Sequence, residues 1–333
     1  MVIKTIDSLF HTYDSPKAPG ACIMIIKNWE ILFKKAYGMA HIWKKIPTST
    51  KTNFRLASLT KQFTATCIVK LIEQWRLKYN DKIVKFFPQL PDITKSITIH
   101  HLLTHTSWLP DDYELIPKNR KLQMHDKDYI PLLQKIKKLH FDPGKKFSYI
   151  NTWYCLLSLI IEKVSWMAFD TFLKKYIFNP LHMNTTSLYT HWWKNIHTRA
   201  YGYVQTGHSF SLKDQDISSA TSWDGWIYSS LDDLYTRDQA LCTDTILKWS
   251  SLKKIFSPAI LHNWKRIPYG LGREIYYHHG SKILYHGGES CGFKNFIYRI
   301  PSKKISIVFL SNRNTWWWIS FARKIAKFSW VVS

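Results

Sequence analysis

No stretch of about 18 apolar residues occurs in this chain, so a membrane-spanning helix is not expected. The N-terminal segment, Met1 to Tyr13, sets Lys4, Asp7 and His11 among its apolar residues and has no small-residue cleavage site. That pattern does not fit a secretory signal, and a cytoplasmic protein is the expectation. The five cysteines, Cys22, Cys67, Cys155, Cys242 and Cys291, are odd in number and form no C-x-x-C pair. They argue against a disulfide framework and a cysteine-built metal site, and read as small buried hydrophobes. Acidic residues are scarce, 23 against 47 lysines and arginines, which leaves a formal charge of +24. Such an excess suits nucleic acid or an anionic membrane surface. Yet the lysines are spread along the whole chain, and no helix-turn-helix, zinc-finger or RNA-binding signature accompanies them. A specific nucleic-acid partner is therefore not expected, whereas nonspecific adhesion to polyanions is. Glycine is short as well: 12 in 333 residues, about half the usual ~7%, beside 16 tryptophans.

What is present is a globular composition, 45% hydrophobic, long enough for one large domain with a substantial core. Ala21 to Ile26 and Ile31 to Tyr37 are β-rich runs around Lys27-Asn28-Trp29-Glu30, which reads as a hairpin. Phe54 to Trp75 has helical character and is apolar nearly all round, the mark of a buried helix. From about Leu77 to Thr206 helical patterns alternate with loops. The clearest sets Trp153, Leu156, Leu157, Ile160, Ile161 and Val164 at helical spacing, with Asn151 or Thr152 at its start. Leu231 to Leu241 suggests a further helix, opened by Ser230 or Asp232. Lys282 to His286, Phe293 to Ile300 and Lys304 to Leu310 read as strands, and Trp316 to Ser333 as an amphipathic helix docked on the sheet. The expectation is an α+β fold: one antiparallel five-stranded sheet built from both chain ends, flanked by helices, with a mostly helical insertion. As one domain over 1–333, its sheet part covers about 1–76 and 207–333 and its helical part about 77–206.

Three short segments carry chemistry. Ser58-Leu59-Thr60-Lys61 places a hydroxyl and an amine three residues apart on a helical turn, with Cβ atoms roughly 5–6 Å apart. A serine needs a base before it can attack, and burial near a helix start disfavours the ammonium form of Lys61. Taken alone, the same string also fits an N-cap serine followed by a surface lysine. Tyr149 and Asn151, two apart before a helix, point the same way in extended chain. Tyr149 can relay protons and Asn151 can hold a substrate carbonyl while ordering Lys61; a packed tyrosine and a capping asparagine are the plainer alternatives. His286-Gly287-Gly288 ends a strand, where residues without side chains let a substrate lie along the edge and His286 lines the pocket as a polar or partly charged contact. The alternative there is a β-turn with a chance histidine. The backbone amides of Ser58 and Glu289 would form an oxyanion hole, two fixed donors worth several kcal/mol of barrier. His101 and His105 are spaced i, i+4, but the glutamate of H-E-x-x-H and a third ligand are missing, so no metal is expected. No cofactor is called for either.

Together these segments resemble the serine β-lactamase and penicillin-binding superfamily, nearest its class C β-lactamase, D-aminopeptidase and esterase branch. Phe54 to Ala65 is similar to that family's nucleophile helix. Ile99 to Pro110, with His101-Leu102-Leu103-Thr104-His105-Thr106-Ser107, resembles a second landmark. Pro143-Gly144 precedes Tyr149 as it does there, and Tyr285 to Phe293 resembles the last active-site strand. The likeness covers about residues 5 to 325. It implies a sheet and a helical part with the site between them, acylation of Ser58 followed by hydrolysis or transfer, and a loop-anchoring role for the His101–His105 segment. The implied substrate is a β-lactam, a D-amino-acid peptide or a small ester.

The chain departs from that pattern systematically. Trp29, Trp75, Trp108, Trp166, Trp223 and Trp226 stand where the family commonly carries glycine, and lysine, histidine or tyrosine recurs where it carries acids. Each change can arise at the first base of a G-initial codon, so the charge reads as a by-product of biased mutation. Two other readings follow: an impaired or inactive family member serving as a binding scaffold or decaying product, with Trp108 and Trp226 occluding the cleft, and a basic nucleic-acid or membrane-surface binder.

Overall fold

The computed structural model of the chain describes residues 2–107, 109–189, 196–207, 209–219, 221, 227–314, 322 and 324–326. Strands β1 (Ala21–Lys27) and β2 (Glu30–Tyr37) form the expected hairpin, closed by Asn28 and Trp29 at φ 51° and 74°. Positive φ at both central residues gives the turn a twist that matches its strands.

The segment read as one helix from Phe54 to Trp75 divides into three. Strand β3 (Phe54–Arg55) comes first, a 3-10 turn covers Ala57–Thr60, and α1 runs over Lys61–Glu73. The buried Arg55 guanidinium is tied to Tyr228 Oη (3.1 Å) and to the Asp214 carbonyl (3.1 Å), which fixes this stretch as a strand. Ala57 then takes φ 51°, a value no right-handed helix accommodates.

Helix α2 (Ile99–Leu103) opens at Thr98, whose hydroxyl accepts from the His101 amide. Helix α3 (Thr152–Ser165) buries Trp153, Leu156, Leu157, Ile160 and Ile161, as their spacing requires. Strands β4 (Ser187–Leu188) and β5 (Ile227–Ser229) join β3 in a small sheet of order β3-β5-β4. Helix α4 (Leu231–Ala240) starts at Ser230, whose hydroxyl accepts from the Asp233 amide.

The last strands are β6 (Glu274–His278), β7 (Ser281–Ser290), β8 (Phe293–Ile300) and β9 (Ile305–Ser311). With β1 and β2 they form one sheet in the order β6-β7-β8-β9-β1-β2, every neighbouring pair antiparallel. The sheet thus has six strands instead of the expected five, and β6 is the addition. As an edge strand it buries only Ile275 fully and lacks the continuous burial of the inner strands β1, β8 and β9. The architecture is α+β.

Side chains alternate across the sheet. Cys22, Met24, Ile26, Val308 and Leu310 pack into the larger core with α1 and α3, while Ile23, Ile25, Phe296, Ile307 and Phe309 join Phe10 and Ile325 on the opposite face. Of the expected helix Trp316 to Ser333, only Ala322 and residues 324–326 are described, and Ala322, Ile325 and Ala326 belong to that second cluster. All five cysteines carry free thiols. No helix among the described residues is long and apolar enough to cross a membrane.

Helices α1 and α3 both end on a left-handed tryptophan, Trp75 and Trp166, each at φ 60°. Glycine is the usual residue at such an end because it has no Cβ to clash. Trp264, at φ 65°, repeats the pattern in a loop. These three side chains are 92%, 90% and 85% exposed. Trp108, Trp223 and Trp226 lie outside the described residues, and with them any occlusion of the cleft.

Candidate active site

The turn that carries Ser58 is set by its neighbours before any side chain acts. The Leu56 amide donates to the Ile227 carbonyl (2.9 Å), and Ala57 then swings left-handed, which leaves Ser58 half-buried at the front of α1. Gly288 of β7 lies directly against this turn. A Cβ there would stand 2.3 Å from the Leu56 carbonyl oxygen and 3.3 Å from the Ser58 amide nitrogen. Only glycine lets the strand approach so closely.

Lys61 is the first residue of α1 and is 1% exposed. Its Nζ donates to Ser58 Oγ (3.0 Å) and to Asn151 Oδ1 (2.9 Å). Asn151 occupies the cap position of α3 but makes no side-chain capping bond; its carbonyl oxygen serves Lys61 instead, and its backbone amide donates to Asp111 Oδ1 (3.3 Å). Tyr149 shares a hydrogen bond with Ser58. Its ring lies 5.0 Å from Lys61 Nζ and stacks on His105 at 4.4 Å. One side of that ring is open to the cleft, 36% exposed, while burial of the phenol raises its proton affinity against the pull of the Ser58 bond. Ser58, Lys61, Tyr149 and Asn151 therefore form one hydrogen-bonded cluster.

His286 differs from its expected role. It lies 2% exposed on β7, and its Nδ1 sits 2.6 Å from the Gly287 carbonyl oxygen. A carbonyl can only accept, so Nδ1 carries the hydrogen and Nε2 accepts from Tyr269 Oη (3.1 Å). Burial, with Lys61 next, pushes the ring down to about 3. The expected partly charged pocket contact is thus a neutral ring with both nitrogens engaged. Gly287 is buried in the β7–β8 ladder opposite Phe296, and the Glu289 side chain is exposed, 3.4 Å from Lys294 Nζ. The Glu289 backbone follows directly on Gly288, beside the Ser58 amide.

His101 and His105 do not pair as ligands. The Nδ1 of each accepts a backbone amide, from Thr98 (3.3 Å) and from Ile150 (3.2 Å) respectively. His105 is fully buried and held at φ 56°, and its carbonyl accepts from the Ser148 amide (3.0 Å). It anchors the segment that delivers Tyr149. Burial, with Lys61 and His286 nearby, holds it well below the usual imidazole range.

Tyr269 was not foreseen from the sequence. It fixes the His286 tautomer and meets the rings of His105 and Tyr149 at 4.7 and 6.0 Å. Its only sequence mark is a place between Pro268 and Gly270-Leu271-Gly272, ahead of the unforeseen strand β6.

Comparison with known proteins gives the family and the fold. The family model described as Beta-lactamase matches residues 6–325. Penicillin-binding protein 4* of Bacillus subtilis (strain 168) is 32% identical over 93% of this chain and 72% of its own length. Protein flp of Staphylococcus aureus (strain NCTC 8325 / PS 47) is 29% identical over 92% of this chain, which spans 62% of that protein. Among solved structures, the octameric penicillin-binding protein homologue from Pyrococcus abyssi is 27% identical, with a TM-score of 0.85 over 99% of this chain and 78% of its own. The D-amino acid amidase from Ochrobactrum anthropi SV3, 21% identical, shares the fold, with a TM-score of 0.81 over 98% of each chain. With a match running nearly end to end, the chain belongs to the beta-lactamase family of serine acyl hydrolases.

Proposed function

We propose that the chain forms an acyl-enzyme at Ser58 and hydrolyses it. In this reading neutral Lys61 takes the proton as Ser58 Oγ attacks a carbonyl carbon. The amides of Ser58 and Glu289 hold the resulting oxyanion, and Tyr149 passes a proton to the leaving group as the tetrahedral intermediate collapses. Water then attacks the acyl group and gives its proton to Tyr149, while Lys61 returns its proton to Ser58 Oγ as the acyl bond breaks and the acid leaves. Asn151 orders Lys61 and contacts the substrate carbonyl side, and Gly287 and Gly288 leave room for the substrate along β7. The division expected from the sequence belongs to the same proposal: a sheet part, about 1–76 and 207–333, and a helical part, about 77–206, with the cleft between them. The observation that carries the reading is the 3.0 Å contact of Lys61 Nζ with Ser58 Oγ at a lysine 1% exposed.

The state of His286 narrows the substrate. On the Gly288 face of β7 the side chains are Lys282, Leu284, His286 and Ser290; His286 is a neutral ring tied to Tyr269, and Lys282 Nζ donates to the Phe256 carbonyl (3.1 Å). Lys282 lies six residues along the strand from Gly288, so among the described residues of β7 none anchors a substrate carboxylate by charge beside Ser58, which favours a small ester or a D-amino-acid amide over a β-lactam. Intact-mass analysis after incubation with an activated acetate ester and with a penicillin tests this. Acetylation of Ser58, faster than any penicilloyl adduct, is expected. A well-folded protein that gains neither mass overturns the proposal.

A further inference from the structure

A second polar cavity, of about 400 Å³, lies behind the segment that delivers Tyr149. Its walls come from five separate stretches of chain: Lys82, the start of α2 with Thr98, His100 and His101, then Thr106, Gly144, and His262 on a distant loop. None of the lining residues carries a carboxylate. The rings of His101 and His262 stand 6.1 Å apart, and those of His100 and His101 6.5 Å.

The hydrogen bonding gives these rings a direction. His101 Nδ1 accepts from the Thr98 amide, so Nε2 carries its hydrogen and is a donor without a partner among the described residues. The His262 ring is pressed against the Gly144 backbone: a Cβ on Gly144 would stand 2.3 Å from His262 Nε2. Pro143-Gly144 thereby acquires a second use besides preceding Tyr149, for any larger residue would push this ring out of the cavity wall. Lys82 Nζ has a single long contact, 3.3 Å to the Ser96 carbonyl.

The surrounding charges have one dominant sign. Burial, then His100, His262 and Lys82, push His101 down to about 4. Burial and Lys254 lower His100, with Lys254 Nζ 3.5 Å from the Tyr79 ring that meets His100 edge-on. The nearby acids are spoken for: Asp142 pairs with Lys145 (2.5 Å), and Asp81 takes the Lys78 amide (2.8 Å) and Lys85 Nζ (3.1 Å). Burial is the larger cause of both shifts, but the cations beside the two rings, Lys82 at His101 and Lys254 at His100, attract an anion by the same Coulomb term that repels a proton.

We infer that this cavity binds a tetrahedral oxyanion, a phosphate group free or carried on a small molecule, through Lys82, His101 and His262. Bound anion and imidazole protons favour one another, so binding strengthens as the pH falls. The site is separate from Ser58 chemistry and does not rest on it.

The test is a titration of the whole protein in chloride buffer, followed by the histidine Cε1–H resonances. Sulfate is the first probe because its charge stays constant between pH 7.5 and 5.5. Saturable shifts of His100, His101 and His262, with His105 and His286 unmoved, are expected, as is affinity about threefold or more higher at pH 5.5. Lys82→Ala should weaken binding about tenfold, while Lys303→Ala, an equal loss of charge elsewhere, leaves it unchanged. Glycerol phosphate binding more tightly than inorganic phosphate identifies a carried group, and the reverse order the free ion. Non-saturating shifts, or equal losses in the two lysine variants, would reduce the effect to the ion atmosphere of a +24 chain and overturn the inference.

Discussion

Among the non-glycine residues with left-handed backbone, two groups stand in very different settings. In the cleft it falls on Ala57 and His105, both fully buried and both next to a group of the site. At the surface it falls on Trp75, Trp166 and Trp264, whose side chains reach into solvent. The local cost is alike, about 1–2 kcal/mol for a non-glycine residue. What surrounds it is not. Ala57 is clamped between Gly288 and the Leu56–Ile227 hydrogen bond, and His105 between the Ile150 and Ser148 amides and the Tyr149 ring. Strain that is over-determined by its surroundings holds Ser58 and Tyr149 in place. The exposed tryptophans bury little that could offset theirs. The difference separates a part of the backbone braced around the proposed catalytic groups from exposed turns where nothing braces the strain.

The sharpest way to break that contrast is to remove the groups the cleft holds. Ser58→Ala should abolish labelling by an activity-based serine probe and lower ester turnover by about 10⁴-fold or more, and Lys61→Ala should do nearly the same, because the pair acts as a unit. Either variant keeping wild-type turnover in folded protein would detach the cleft geometry from catalysis.

Acid should separate the two settings next. His286, at about 3 against an ordinary 6.5, binds fewer protons folded than unfolded between those values. Its contribution is therefore complete above about pH 6.5 and is lost as pH falls toward 3. At about 1.36 kcal/mol per unit this amounts to several kcal/mol, and His105 and His101 act with the same sign. Melting temperature should fall steadily from pH 7 to pH 4.5. A flat profile would mean that these rings are not buried neutral.

Tyr269→Phe addresses the cleft with a smaller step. It leaves His286 Nε2 as a buried acceptor without its donor, a loss of about 1–3 kcal/mol. If the tautomer positions β7 against Ser58, kcat should drop about 10- to 100-fold with KM little changed. A purely structural role would lower the melting temperature and spare kcat.

Tyr269 also shows where sequence reading stops. Ser58, Lys61, Tyr149 and Asn151 were legible because spacings of three and two residues fix which side chains can meet. The inner strands were legible as short β-rich runs, and the Asn28-Trp29 turn through the runs that flank it. Tyr269 meets His286 across 17 residues and a turn, a contact made only by tertiary packing. Strand β6 carries too little buried apolar surface to announce itself. The break before Lys61 depends on Ala57, a residue whose type gives no hint of left-handed backbone. The orientation of His286 was equally hidden, because an imidazole in a strand can face a pocket or a tyrosine.

The smallest effects test the opening contrast most directly. Glycine at positions 75, 166 and 264 removes the left-handed penalty, about 1–2 kcal/mol each, and adds back about 0.5–1 kcal/mol of unfolded-chain entropy. The triple variant should melt several degrees higher with kcat/KM unchanged. Ala57→Gly makes the same exchange in the cleft. There the freed backbone no longer pins Ser58 Oγ 3.0 Å from Lys61 Nζ, so turnover should fall on the order of tenfold even where stability holds. If Ala57→Gly is as harmless to turnover as the tryptophan replacements, strain at the nucleophile has no more function than strain at an exposed turn. If the tryptophan replacements fail to raise the melting temperature, those side chains make contacts that stabilise the fold, and chance substitution no longer accounts for them.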